Sequence, residues 1–390
     1  MIQRRARASL RCHSGLAESV MSLTRRKLLG AGAAMAGLAA LGGWSLWTGT
    51  AGESPLLLSA RNDDDGQHYA VGYYLSGKRA FATPVPERCH AVARHPFLPV
   101  ALYVGRRPAR ESYLIDLRDG RLLQTLHSQP DRHFYGHAVF HARGEWLYTT
   151  ENDTREPGRG VLGRYRLDRA ALQLVHDGEA TTHGVGPHEL AWMPDGESLV
   201  IGNGGIRTEG GSREEMNLDA MAPSLVIMSR HGELISKETL ADAQSSIRHL
   251  DVAADGTVIT GQQYHGPAYN SVPLLAIKRP GEAYQPFPVS RAQLAMMDQY
   301  TASIAIHSEQ RQVAMTAPRG NRFFIWDLDS GDTLLDAPMS DCAGVGAVPG
   351  GFAVTSGQGK CRYYDSRTAE VQSQWLELPG GWWDNHLWLS

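Results

Sequence analysis

Cysteine is nearly absent from this chain, four residues in 390, which excludes a disulfide-stapled scaffold. No Cys-x-x-Cys-His run occurs, so no c-type haem is attached covalently. There is no Gly-x-Ser-x-Gly elbow, no P-loop and no His-Glu-x-x-His. The usual sequence grounds for a nucleophilic hydrolase, a nucleotide phosphate site or a zincin are therefore missing. Charge of one sign is also lacking: the net charge of -3 gives no reason to expect nucleic-acid binding.

What the chain does have is glycine (42) and proline (20), set between apolar segments that total 42% of the residues. That composition supplies many turns and ample material for a core. The length fits two ordinary domains or one large all-β domain.

Residues 1–53 read as an N-terminal extension and targeting segment. Thr24-Arg25-Arg26-Lys27-Leu28-Leu29 precedes a Gly/Ala-rich apolar run that ends near Trp47. A twin-arginine pair ahead of a modest apolar region is the signal of the Tat export route, with cleavage expected between Thr48 and Glu53. The alternative is a retained anchor, so contact with a membrane is expected only through an uncleaved signal. Met21 is an alternative first residue. The destination is the periplasm. In that oxidising compartment Cys342 with Cys361 is the favoured disulfide, which leaves Cys89 over.

Residues 54–390 read as a single domain built from a repeat. His90 opens HAVARHP, His137 HAVFHARGE, His188 HELAWMPDGE and His249 HLDVAADGT. Ala302 opens ASIAIHSEQ and Ala343 AGVGAVPGG in the same register, and His386 opens HLWLS at the end. Each apolar strand is followed by a turn and another strand, at intervals of roughly 40 to 60 residues, the period of propeller blades. A second repeat supplies the outer strands: Tyr113–Gly120, Leu225–Gly232 and Phe323–Gly331 each run into another apolar segment. Residues 55–83 give three strands with no opening strand, whereas HLWLS is an opening strand with nothing after it. Joining them completes a four-stranded blade and hides both sheet edges. The expectation is an all-β, seven-bladed β-propeller, closed by pairing the C-terminal strand with the N-terminal blade. Six or eight blades are the alternatives, because the interval from His188 to His249 is long. Its excess, Gly205 to Ala222, reads as a surface loop.

The segments FYGHAVF (134–140), TENDT (150–154), HGVGPHEL (183–190), NGGI (203–206), NLDAMAPSL (217–225), SIRHLDV (246–252), GQQY (261–264) and APRGN (317–321) resemble one bacterial family, a domain of unknown function with Tat-exported members. The resemblance implies a propeller-like periplasmic protein. Members are often encoded beside imelysin-type and other iron-uptake proteins, which implies a role in iron or copper handling and a periplasmic partner protein of a metal-uptake system. It carries over no catalytic residue.

In a propeller the loops before the inner strands surround one mouth of the central channel. His90, His137, His188, His249 and His386 are therefore expected to converge there, where grouped imidazoles would suit Cu, Fe or Zn. The competing role is structural, with each histidine hydrogen-bonding a neighbouring loop. Glu189 and Asp251 would add oxygen ligands or orient a histidine, although strand alternation sets Glu189 on the face opposite His188. Arg248 is placed to bind a carboxylate or phosphate, or to bridge two blades. Arg319 lies in a tight turn that is a secondary binding candidate. Glu151-Asn152-Asp153 reads as a turn, with Ca²⁺ chelation the weaker alternative. Trp382-Trp383 reads as packing under the last blade. Two functions remain: a non-catalytic binding or scaffold propeller that holds a metal species or partner, and a metal-dependent hydrolase or oxidoreductase using the same mouth.

Overall fold

The computed structural model describes residues 55–208, 214–371, 376–377 and 381–390. The expected twin-arginine segment lies outside the described residues. From Leu56 onward the strands assemble into seven separate antiparallel sheets, each a blade of a seven-bladed β-propeller. Six- and eight-bladed rings are thereby ruled out.

Blade 1 contains Leu56–Asp63, His68–Tyr74 and Arg79–Val85. Its inner edge is supplied by the chain's end: Gly381–Trp383 and Trp388–Leu389 both pair with Leu56–Asp63. The closing strand thus begins before His386 and is split around Asp384–Leu387, where a single run from His386 was expected. Blades 2 to 7 open with Cys89–Arg94, Arg132–Phe140, Pro187–Trp192, Ser245–Val252, Ser303–His307 and Cys342–Val348, and each continues outward through consecutive hairpins.

Burial follows this radial order. The second strand of blade 2, Val100–Gly105 (VALYVG), is apolar throughout and wholly buried, because both of its faces meet neighbouring sheets. The outer strand of the same blade, Leu122–His127, mixes polar with apolar residues and is mostly half-buried, with Leu122 and His127 exposed. The core is distributed over the seams between blades. Tyr103 and Tyr113 pack with Leu58 and Phe81 between blades 1 and 2. Phe324 and Trp326 pack with Ile259 and Phe287 between blades 5 and 6. Leu57 and Leu387 meet Val348, Ala353 and Cys361 between blades 1 and 7, so the ring is closed by apolar packing as well as by the strand pairing. Trp383 is buried edge-on to Tyr73, 5.3 Å between centroids, a packing role as expected.

The one α-helix among the described residues, Arg291–Met296, links blades 5 and 6 and starts with a Ser290/Gln293 capping box. No helix among them is long and apolar enough to cross a membrane.

Two expectations are corrected here. Among the described residues, Cys89, Cys342 and Cys361 are free thiols, buried in different seams. Cys342 and Cys361 serve as small apolar side chains on either side of blade 7, so no disulfide joins them. Glu151, Asn152 and Asp153 belong to the strand Trp146–Asp153 and form neither a turn nor a calcium loop. Glu151 is buried and accepts hydrogen bonds from Thr149 (2.6 Å) and Tyr165 (2.9 Å), while Asp153 pairs with Arg132 and Arg159.

Candidate metal centre

The inner strands that carry histidine are irregular where the histidine sits. Register shifts fall between Cys89 and Ala91, Phe134 and Ala138, Pro187 and Leu190, and Ile247 and His249. In blade 1 the interruption between Trp383 and Trp388 contains His386. Of the two blades that open without histidine, blade 6 has an unbroken register, whereas blade 7 is shifted between Cys342 and Val345. A bulge bends the strand and re-aims its side chains, here into the channel. Gly136 makes one of these bulges: its φ is +102°, and a Cβ on it would stand 2.6 Å from Cδ2 of His90.

The five histidines meet as expected. Ring centroids are 4.6 Å apart for His90–His386, 5.0 Å for His90–His137, and 4.8 Å for His137–His188, His188–His249, His249–His386 and His137–His386. Three sets have ligand atoms all within 4.8 Å of one another: His90/His137/His386, His137/His188/His249 and Glu189/His249/His386. His90, His137, His249 and His386 are buried, while His188 keeps some exposure.

Carboxylates stand behind the rings. Glu189 Oε1 is 3.4 Å from Nδ1 of His137, and Oε2 is 3.3 Å from Nδ1 of His249 and accepts from the Leu250 N–H at 3.0 Å. Asp384, fully buried, lies 3.5 Å from Nδ1 of His90 and is held by Arg88 and by Asn62. An Nδ1–H directed at a carboxylate leaves Nε2 as the bare lone pair, the tautomer that binds metal. Among the described residues, His137 Nε2, His386 Nε2 and His188 Nδ1 are buried with no hydrogen-bond partner, and His90 Nδ1 has only the Asp384 carboxylate at 3.5 Å, beyond hydrogen-bonding geometry. Three orphaned nitrogens at one place, at about 1–3 kcal/mol each, are costly for a site with only a packing role.

Burial pushes the His90 imidazole down to about 3 and drives His188, His249 and His386 below their usual value, with neighbouring positive charge adding to the effect at His188 and His386. Burial would raise the Glu189 carboxyl, but His137 and His249 outweigh it and hold the group ionised. His90 and Arg88 do the same for Asp384. At neutral pH His90, His188, His249 and His386 are neutral imidazoles, and Glu189 and Asp384 are ionised carboxylates behind the rings.

The structural role weighed for these histidines is played in full by two others, while within the channel set His249 meets Glu189 at 3.3 Å and His386 meets Ser303 Oγ at 3.4 Å across blades. His95 Nε2 bonds the Gly144 carbonyl of the next blade at 2.9 Å, and its Nδ1 accepts from Phe97 and Leu98 N–H. His141 repeats the pattern with Gly196 and Arg143. In both, each ring nitrogen has its partner.

The other candidates divide. Glu189 points into the channel beside His188, because the bulge at 188–189 cancels the alternation that placed it on the far face. Asp251 is spent on blade 6, accepting from Ile306 N–H at 2.7 Å. Arg248 is 5% exposed and sits in the same bulge as His249. Arg319 is exposed at the rim, over the Tyr300 ring at 4.4 Å, in a turn whose Gly320 packs on the Met296 carbonyl. Sequence reading missed Asp384. The signal was available, an acidic residue two positions before His386, but the strand interruption that turns it inward leaves no mark in the pattern.

Among solved structures, the chain is similar to Saccharomyces cerevisiae Sqt1, with a TM-score of 0.52 at 14% identity over 75% of this chain and 86% of that one. It is also similar to the hydrazine synthase of Kuenenia stuttgartiensis, with a TM-score of 0.52 at 13% identity over 80% of this chain and 93% of that one. At such identities the likeness is one of fold alone. No curated protein matches the sequence. Residues 83–390, which hold all five channel histidines, Glu189 and Asp384, match the model of the family described as protein of unknown function (DUF1513), and the chain belongs to that family.

Proposed function

We propose that this propeller is a periplasmic metal-binding protein that holds one transition-metal ion, Cu, Fe or Zn, among the channel histidines and serves a metal-uptake partner. The observation that carries this reading is the convergence of unpartnered imidazole nitrogens with carboxylates behind them. Neutral imidazole is a preferred ligand for these ions. Nitrogens bound to one ion at about 2.1 Å stand roughly 3.4 Å apart in tetrahedral geometry, so a triad spaced up to 4.8 Å has to draw together on loading. Rotation of the rings supplies that movement. The periplasmic and iron- or copper-handling parts of the reading rest on the twin-arginine segment read in the sequence and on the iron-uptake neighbours that the family resemblance implies.

The test is the metal content of the full chain, purified without chelators or an affinity histidine tag. About one ion per chain, lost in His137→Ala and in His188→Ala with folding intact, is the expected result. A wild-type protein that takes up no Cu, Fe or Zn even on reconstitution would overturn it.

One observation favours a second reading, a metal-dependent hydrolase or oxidoreductase. His188 is partly exposed, which leaves the centre an approach from solvent and an ion there a coordination position for water or substrate. Turnover that appears only in the loaded protein would decide for it.

A further inference from the structure

At the channel mouth above the histidines, Arg248 and His265 each keep a buried nitrogen without a hydrogen-bond partner among the described residues. Arg248 is buried, and its Nε has no hydrogen-bond partner among the described residues. The carboxylate that reaches it is Glu215, at 4.0 Å from Nη2, the outer limit of an ion pair. Glu215 is shared with His265, whose Nδ1 lies 3.5 Å away and whose buried Nε2 is also without a partner. A buried cation with incomplete pairing is expensive, and a bound anion would complete it.

Two further guanidiniums frame Arg248 from other blades. Arg107, from blade 2, lies over the Tyr135 ring at 5.2 Å, and Arg319, from blade 6, lies over the Tyr300 ring at 4.4 Å. Arg107, Tyr135 and Tyr300 stand within electrostatic reach of Arg248, and Arg319 within reach of His265. Stacking on a tyrosine face holds a guanidinium plane in place, and a held fork makes the two parallel hydrogen bonds that carboxylate and phosphate accept. Glu189 and Asp384 do not neutralise this group, since each already serves the histidines.

We propose that the mouth is an oxyanion site, which binds a small multivalent carboxylate or phosphate compound over the histidine centre, gripped by Arg248 and Arg319 with His265 beside them. This goes beyond the metal centre, because none of these three side chains belongs to the nitrogen set assigned to the ion.

The test is calorimetric titration of the full chain, stripped of metal by chelator and then dialysed, with citrate and separately with inorganic phosphate. Saturable binding of at least one anion is expected, weakened about tenfold or more in Arg248→Gln and severalfold in Arg319→Gln. Response to citrate alone assigns a carboxylate ligand, to phosphate alone a phosphate ligand, and to both a general oxyanion site. No saturable binding of either anion overturns the proposal, as does an affinity unchanged in both variants. Arg319 is exposed, so its substitution tests the site even where Arg248→Gln fails to fold. His137→Ala should keep the anion and lose the metal. A protein that binds citrate or phosphate but never takes up an ion would refute the metal centre and leave this site standing.

Discussion

Glu189, on the inner strand of blade 4, reaches the Nδ1 of His249 on blade 5 at 3.3 Å. Its other oxygen is 3.4 Å from Nδ1 of His137 on blade 3, so one carboxylate ties three blades together at the centre. Glu189→Gln keeps the size but offers one acceptor oxygen and turns an amide N–H toward a ring that needs an acceptor. Metal affinity should fall about 10–100-fold, the usual loss when the group orienting a ligand is removed. Competition with a chromophoric chelator measures it, and an unchanged affinity would remove Glu189 from the centre.

The two sets of histidines should respond in opposite ways. His137 belongs to two of the candidate triads, and its Nε2 has no protein partner. His137→Ala should abolish stoichiometric metal binding and leave the melting temperature of the metal-free protein nearly unchanged. His95 is fully buried, with Nε2 paired across the seam of blades 2 and 3 and Nδ1 paired within its own blade. His95→Ala should cost about 2–4 kcal/mol of stability and leave metal stoichiometry intact. Thermal unfolding and metal analysis on the same two variants separate the roles; identical behaviour would contradict the division.

Gly136→Ala tests the bulge itself. The left-handed backbone at +102° penalises any side chain, and the new methyl would press on the His90 ring from 2.6 Å. A stability loss of about 1–3 kcal/mol is expected from the backbone, together with weaker metal binding because His90 is displaced. Denaturant unfolding gives the first and chelator competition the second.

Acid–base behaviour supplies a prediction away from the centre. Burial raises the Glu151 carboxyl to about 7 from its ordinary 4.5, against the hydrogen bonds from Thr149 and Tyr165. The folded protein therefore holds this proton more tightly than the unfolded chain. Its contribution is fully present below about pH 4.5 and is lost as the pH rises through about 7. At about 1.4 kcal/mol per pH unit the ceiling is about 3 kcal/mol. Glu151→Gln, which stays neutral, should gain on wild type between pH 5 and pH 8. Denaturation curves at the two pH values check it, and a difference that is flat or of opposite sign would contradict the assignment.

The ring of seven blades was legible because each blade repeats its pattern and because the two chain ends complement each other, three strands without an opener and an opener without a blade. The convergence of His90, His137, His188, His249 and His386 followed from the same periodicity. What escaped were departures from period. A bulge shifts facing by one residue without changing composition, so Glu189 was set on the far side and Asp384 went unnoticed. The free thiols escaped for a related reason: Cys342 and Cys361 both lie in blade 7, yet they project into opposite seams. The structural histidines, His95 and His141, lie in the same repeats as the channel set, and only the three-dimensional partners of their ring nitrogens tell the two apart.

The way the ring closes also imposes an order of assembly. Leu56–Asp63 is translated long before its partner strands, which come with Asp384 and His386. Until those final residues emerge, blade 1 lacks its inner edge, His90 lacks its carboxylate and the centre lacks one imidazole. A chain that lacks Asp384 and His386 is thus unable to complete either the closing blade or the histidine centre, so the two features form together.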